Sequence, residues 1–171
     1  MLPTFKTNRL LIRPRLVTDL ELCLAMDRDP MVTQYVTGPW SDAEKHRAFI
    51  LDRMNFEYPE GLGYWSVVRN EEANDFLGWI LLLPYQMITD ETEIGWRFTR
   101  KSWGHGYASE AASVVLEYGL DTLSLKRIVA DIALRNVASM RVAEKIGMQF
   151  SGNRCIDGEQ AKSYQIDAEH K

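Results

Sequence analysis

The stretch Arg100-Lys-Ser-Trp-Gly-His-Gly-Tyr-Ala-Ser109-Glu-Ala joins two segments of different periodicity. Before it, residues 91–99 alternate Glu93, Gly95 and Arg97 with Ile94, Trp96 and Phe98, the period of a half-buried strand. After it, Ala108, Ala111, Ala112, Val115, Leu116, Gly119 and Leu120 recur at helical spacing, with Glu110, Ser113 and Glu117 off that stripe. Gly104 and Gly106, two apart at a helix entrance, free the backbone to turn and let N–H groups point outward. Those unpaired donors and the positive end of the helix dipole favour phosphate, and Arg100 and Lys101 add charge nearby. Strand, glycine loop and helix thus read as a pyrophosphate cradle. Glycines also open many tight turns that bind nothing, and that plainer reading stands beside it. The spacing is not G-x-x-x-x-G-K-[ST]. Ser109 occupies the third glycine position of G-x-G-x-x-G, so triphosphate and dinucleotide sites are both disfavoured.

Outward from this centre, a dense β-branched run at residues 127–133 reads as a buried strand. Asn136 then caps a helix carrying Val137, Met140, Ala143 and Ile146, which Gly147 stops. Short strands at 148–151 and 163–166 flank the turn Asp157-Gly158. On the other side, residues 64–69 and 76–83 form a strand pair joined by the polar loop 70–75. Ser41-Asp-Ala-Glu44 is a capping-box pattern opening a helix towards Phe56, which Pro59, Gly61 and Gly63 break. Leu10-Leu-Ile-Arg is a first strand. Thr18 and Asp19 offer an N-cap for a helix over 20–26 that Asp29-Pro30 stops. The order β-α-α-β-β-β-α-β-α-β-β predicts an α/β (α+β) fold with a mixed, mainly antiparallel sheet; a doubly wound fold would alternate strictly.

The composition narrows function by exclusion. The 171 residues are 46% hydrophobic and 26% charged, as in an ordinary globular domain, and we expect one domain over residues 1–171. The net charge of −4 gives no whole-molecule attraction to nucleic acid. Cys23 and Cys155 read as free, buried thiols without chemistry, in a reducing cytoplasmic setting. His46, His105 and His170 show no ligand spacing, so no metal is expected. The most apolar window, 76–85, is too short to cross a membrane and is broken by Gly78 and Pro84.

The segments Trp103-Gly-His-Gly-Tyr-Ala-Ser-Glu-Ala and Asn136-Val-Ala-Ser-Met-Arg-Val-Ala-Glu-Lys-Ile-Gly-Met together resemble the GNAT superfamily of acetyl-CoA-dependent N-acetyltransferases. More narrowly they resemble its RimJ/RimL-like branch, which acetylates ribosomal proteins. The opening Thr7-Asn-Arg-Leu-Leu-Ile-Arg13, Asp19, Asp29-Pro30 and the strand Glu93-Ile-Gly-Trp-Arg97 fit that branch too, so the resemblance covers roughly residues 7–167. It implies a twisted, mostly antiparallel mixed sheet of six to seven strands with about four helices. The fourth and fifth strands of that sheet splay apart to admit the pantetheine arm.

The resemblance also implies roles. The strand end Trp96, Phe98 and Thr99 would offer backbone groups to the pantetheine amides and the thioester carbonyl. Arg100, Lys101, Gly104, His105, Gly106, Tyr107, Ala108 and Ser109 would hold the pyrophosphate, chiefly through backbone N–H groups. Lysine stands at 101 where the family pattern has glutamine or arginine. Asn136 would hydrogen-bond the pantetheine, with Ser139 close to the sulfur and Arg141 on the same helix among the binding residues. The tyrosine that protonates the leaving thiolate in many members is replaced here by Ala143, which makes Ser139 the candidate acid; a thiolate also leaves well unaided. Glu93 is the candidate general base, directly or through one water, with Glu91 and Asp90 as competitors. A strand carboxylate facing solvent with no role is the plainer reading of Glu93. Asp19, Trp40, Trp65 and Tyr85 are candidates for the acceptor side, although aromatic residues at such positions are more often core. Residues 87–92 form a candidate acceptor-side loop.

The function expected is transfer of an acetyl group from acetyl-CoA to a primary amine by direct attack in a ternary complex. The acceptor is a protein N-terminus or a small-molecule amine. No cysteine lies in the motifs, so no acetyl-cysteine intermediate is expected. A non-catalytic CoA-binding sensor or assembly module is the alternative of a different class, kept open by the absent tyrosine. A phosphate-binding protein unrelated to CoA is a third reading. No nucleic acid or membrane partner is expected, and the chain is read as a monomer or homodimer.

Overall fold

The computed structural model describes residues 2–70, 72–85, 91–156 and 158–168. The chain opens with β1 (Phe5–Lys6) and β2 (Leu10–Pro14). A 3-10 turn at Val17–Asp19 leads into α1 (Leu20–Asp27), α2 (Pro30–Thr33) and α3 (Ala43–Asn55). A meander of β3 (Gly63–Arg69), β4 (Glu72–Pro84) and β5 (Thr92–Phe98) follows. Then come α4 (Tyr107–Glu117), which runs into a π-helical turn at Tyr118–Thr122, β6 (Arg127–Ala133), α5 (Val137–Lys145), β7 (Gln149–Ile156) and β8 (Glu159–Asp167).

The strands form one sheet in the order β1-β2-β3-β4-β5-β6-β8-β7. Every neighbouring pair is antiparallel except β5–β6. The mixed, mainly antiparallel architecture is as expected, but it has eight strands and five α-helices among the described residues. The additions are short elements. β1 is a two-residue edge strand. Asp29 does follow the end of α1, but its carboxylate then accepts from the Met31 N–H at 3.0 Å and, with Pro30 in the first turn, starts α2.

Two caps differ from expectation. Asp42, not Ser41, caps α3, accepting from the Lys45 N–H at 3.0 Å. Asp19 precedes α1 without capping it. Its carboxylate instead takes a two-pronged contact from Arg13 (2.7 and 2.8 Å), the Ser66 hydroxyl (2.8 Å) and the Leu16 N–H (2.9 Å). Asn136 caps α5 as expected: its Oδ1 accepts from the Ser139 N–H at 3.1 Å.

The two faces of the sheet are covered separately. Leu10, Ile12, Ile80, Leu82 and Ile94 pack with Ala111, Val115 and Leu116 of α4 and with Met140 and Ala143 of α5. On the opposite face Tyr64, Val68, Trp79 and Leu81 pack with Leu20, Cys23 and Leu24 of α1 and Ile50 of α3. Burial of this apolar area holds the layers together. Gly78 lets β4 and β5 close up, since a Cβ there would stand 2.2 Å from the Arg97 carbonyl oxygen.

One discontinuity prepares the site. β5 and β6 pair only at Thr92↔Ile128 and Glu93↔Val129, while β5 stays paired to β4 as far as Phe98. Beyond Glu93 the two strands part. This is the expected splay, displaced by one strand in the count because β1 precedes it.

Candidate active site

A cleft of about 860 Å³ occupies the gap between β5 and β6. Residues 94–98 of β5 and 130–133 of β6 line its walls, the glycine loop and the start of α4 close one side, and Asn136 and Ser139 of α5 close another. Gly104 and Gly106 have φ of +77° and +78°, the left-handed region in which side-chain-bearing residues are strained. Gly106 is also the N-cap of α4. A Cβ at Gly104 would meet nothing within 4 Å. The loop therefore keeps an open concavity in front of the first N–H groups of α4, as a phosphate site requires.

Glu93 sits where the strands part and lines the cleft. Burial, and then the neighbouring charge of Asp131 on β6, push its carboxyl up to about 7. A carboxylate poised near neutrality is the property wanted of a general base. Asp131 also lines the cleft; its Oδ2 accepts the Tyr85 hydroxyl at 2.6 Å, and its buried Oδ1 has no hydrogen-bond partner. Across the gap, the Trp96 indole N–H donates to Ser139 Oγ at 3.3 Å, linking β5 to α5 and leaving the serine proton for another acceptor. Ala143, in place of the tyrosine, is fully buried against the core and brings no hydroxyl to the cleft.

The cleft brings together most of the residues singled out by sequence. Glu93, Trp96 and Phe98 line it from β5, with Gly104, Gly106, Tyr107, Ala108 and Ser109 from the loop and α4, and Asn136 and Ser139 from α5. Thr99, Arg100, Lys101, His105 and Arg141 lie outside its lining. Arg100 pairs with Asp29 at 3.0 Å and Lys101 with Asp75 at 2.6 Å. Thr99 Oγ1 is 2.6 Å from Ser102 Oγ. His105 Nδ1 lies 2.8 Å from the Trp103 carbonyl, with the ring stacked on Tyr107. Arg141 is exposed on α5. The cations beside Gly106 are Lys145 and Arg9, whose terminal nitrogens would lie 3.9 and 3.6 Å from a Cβ there; Arg9 is paired with Glu110 and also donates to the His105 carbonyl at 2.9 Å.

The suggested acceptor-side residues are placed differently too. Trp65 is wholly buried in the core, with its indole donating to the Pro3 carbonyl at 2.9 Å. Asp19 is the buried partner of Arg13. Trp40 packs edge-on against His46 and Phe49, and Tyr85 supports Asp131. The part of the cleft away from the glycine loop is lined by Arg15, Phe49, Arg53, Tyr64 and Trp79, none of which the motifs pointed to. Arg97 was legible, lying on the same face of β5 as Glu93. It pairs at 2.8 Å with fully buried Asp27, which also lies 3.3 Å from His46 Nε2. Cys23 is buried as expected, and burial pushes its thiol up to about 12, but Cys155 is exposed. Asp90 and residues 87–90 of the suggested loop lie outside the described residues. Glu91, the remaining competitor for the base, is engaged by Arg127 at 3.6 Å and Arg154 at 3.4 Å.

Among the described residues, no group of three or more His, Cys, Asp and Glu side chains is placed to hold a metal ion. Nor is any helix among them long and apolar enough to cross a membrane. Residues 9–149 match the family model of the acetyltransferase (GNAT) domain. The chain is 33% identical over 153 residues to a Bacillus subtilis protein named as an uncharacterized N-acetyltransferase, YnaD, covering 88% of this chain and 86% of that one. It is 29% identical over 155 residues to the FsC-acetyl coenzyme A-N(2)-transacetylase of Aspergillus fumigatus, covering 85% of this chain and 65% of that protein. The crystal structure of a GNAT-family acetyltransferase from Bacillus anthracis superposes with a TM-score of 0.80 at 32% identity, covering 98% of this chain and all of that one. A family match over most of the chain and a shared fold agree with the splayed strands and glycine-loop helix, and this chain belongs to the GNAT family of N-acetyltransferases.

Proposed function

We propose that this protein transfers the acetyl group of acetyl-CoA to a primary amine by direct attack in a ternary complex. The observation that carries the reading is the opening of β5 from β6 immediately after Glu93, with a left-handed glycine loop at the end of the gap. The residues fit the donor. Strand-edge backbone at 96–98 suits the amides of a pantetheine arm, and the N–H groups from Gly104 to Ser109 suit a pyrophosphate, with Arg9 and Lys145 as its nearby cations. Acetyl-CoA supplies an acetyl group already activated as a thioester.

The protein's own task is to free and place the amine. An α-amine titrates near about 8 and a lysine side chain near about 10.4, so either arrives largely as the ammonium. Glu93 takes the proton, and the unpartnered Oδ1 of Asp131 offers a second acceptor to the ammonium before it is deprotonated. The Ser139 hydroxyl, positioned by the Trp96 indole, donates towards the departing sulfur. The reading extends to one catalytic domain over residues 1–171, working in the cytoplasm as a monomer or homodimer, in the RimJ/RimL-like branch. Its acceptor is a protein N-terminus or a small-molecule amine.

The test is CoA release on mixing protein, acetyl-CoA and a panel of peptides and small amines, with the product identified by its added acetyl mass. Release that depends on one amine class supports the reading. Tight acetyl-CoA binding with no release for any amine favours the non-catalytic CoA-binding module instead.

A further inference from the structure

Arg15 follows β2 directly and stays in register with the sheet, its N–H donating to the Tyr64 carbonyl at 2.9 Å. Its guanidinium lies 3.7 Å from the centre of the Tyr64 ring and lines the cleft. Nε and Nη2 are buried and have no hydrogen-bond partner. Other arginines near the sheet are each matched to a carboxylate: Arg13 to Asp19 at 2.7 Å, Arg97 to Asp27 at 2.8 Å and Arg154 to Glu91 at 3.4 Å. Arg15 has no such match among the described residues. The titratable groups facing it are the Cys23 thiol, the phenols of Tyr64 and Tyr58, and a second arginine, Arg53. Burial raises all three of the acids, the thiol and Tyr58 up to about 12, so at neutral pH none of them carries a compensating charge. Arg53 also lines the cleft, stacked on the Phe49 ring at 3.4 Å, with its one hydrogen bond made to a backbone carbonyl.

A buried cation with unmet donors is strongly unfavourable unless an anion completes it. Arg15 is such a cation, and half-buried Arg53 adds a second positive charge to the same cavity, at the end away from the glycine loop. The row Arg15, Tyr64, Leu81, Gly95 crosses four neighbouring chain segments, and Glu93 lies two residues from Gly95 on the same face. The cationic end is thus three strand spacings across the sheet from the base, at about 4.8 Å each, and two residues along it, about 16 Å in all. The Arg15 guanidinium reaches over the Tyr64 ring, one strand nearer, and Glu93 lines the same cleft, so the span left between them suits a short chain of bonds.

Resting on the proposed amine acetylation, we propose that the acceptor carries an oxyanion, a carboxylate or a phosphate, a few bonds from its amine, and that Arg15 with Arg53 is the specificity determinant that receives it. Glu93 and Asp131 hold the cationic end of such a zwitterion and the arginines its anionic end. A polyamine, with a cation at both ends, is repelled at Arg15.

The test begins with calorimetric titration of acetyl-CoA into the protein, which checks the donor reading by itself. CoA release is then measured for β-alanine, 4-aminobutyrate and 6-aminohexanoate against their amides, for O-phosphoethanolamine against ethanolamine, and for spermidine. The expected result is a preference of about 10- to 100-fold in kcat/KM for the anionic member of a pair, the scale of one or two charge-assisted hydrogen bonds. The pair that shows it identifies the oxyanion. Arg15→Met raises KM for the anionic acceptor by far more than for its amide or alcohol, and so removes the preference. Arg53→Gln, remote from the strand register, does the same in part if the first variant folds poorly. The proposal is overturned by equal rates within both kinds of pair, by spermidine as the best substrate, or by a panel that stays inert although acetyl-CoA binds. Failure of acetyl-CoA to bind removes the donor reading first, and this inference with it.

Discussion

Replacing Glu93 by glutamine should slow the enzyme and stabilise the fold, and the two effects should depend on pH in opposite ways. Burial and the charge of Asp131 raise the Glu93 carboxyl from an ordinary 4.5 to about 7. A carboxylate raised on folding binds its proton more tightly in the native state, so stability is lost as pH rises from about 4.5 to about 7. The difference is about 2.5 pH units at about 1.36 kcal/mol each, so ionised Glu93 costs the fold about 3 kcal/mol above neutrality. That is a ceiling, because water entering the cleft relieves part of it. At about 2–4 °C per kcal/mol for a chain of this length, Glu93→Gln should raise Tm by several degrees at pH 8.5 and hardly at all at pH 5. The same change removes the proposed proton acceptor. Turnover should fall about 100- to 10,000-fold near pH 7. The deficit should narrow towards pH 9, where an α-amine deprotonates unaided. Wild-type kcat/KM should rise through an apparent pKa near 7 that the variant lacks. Thermal melts at both pH values and a pH–rate profile of each protein decide the matter. A Tm that drops equally at both pH values would mean that Glu93 is a structural partner, and an unchanged rate at pH 7 would refute its role as base.

Three further outcomes follow from the packing. Lys145→Gln should weaken acetyl-CoA binding about 3- to 10-fold, more at low salt, whereas Lys101→Gln should leave it unchanged because Lys101 is spent on Asp75; titration of both variants at two ionic strengths separates them. Asp27→Asn strips the buried partner from Arg97 and should destabilise the protein by about 3–5 kcal/mol in a urea melt, while loss of less than about 1 kcal/mol would show that the pair is not buried as described. A thiol reagent should label Cys155 alone in the native protein and Cys23 only after unfolding; rapid labelling of both thiols would contradict the packing of α1.

The central part of the fold was legible because its local signals agree with its tertiary context. The alternation over β5, the change to helical spacing in α4 and the Asn136 cap each name an element without outside information. The far edge was less so. β7 is an exposed edge strand whose residues are mostly polar, so its length, twice that expected, left little hydrophobic pattern to read. Ser41 and Asp42 are both good caps, and only the backbone geometry selects the second. The glycine-loop half of the cleft lay in two contiguous motifs and could be read. The other half is lined by Arg15 just after β2, Arg53 of α3, Tyr64 of β3 and Asp131 of β6, which carry no mutual spacing in the chain. Electrostatic role was equally hidden: the arginine and lysine nearest the glycine loop in sequence are neutralised by Asp29 and Asp75, while Lys145 arrives from far away, as does Arg9, itself paired with Glu110.

Calorimetric titration of wild-type protein and Gly106→Trp tests most directly whether the glycine-loop cleft is an acetyl-CoA site. Gly106 adopts a left-handed φ at the start of α4, so a bulky residue both strains that turn and fills the cradle; the strain is about 1–2 kcal/mol, small enough for the fold to survive. The predicted result is micromolar binding of acetyl-CoA to the wild type, lost in a variant that still melts cooperatively. Absence of binding to the wild type, or equal binding to both proteins, would contradict the placement of the donor in this cleft.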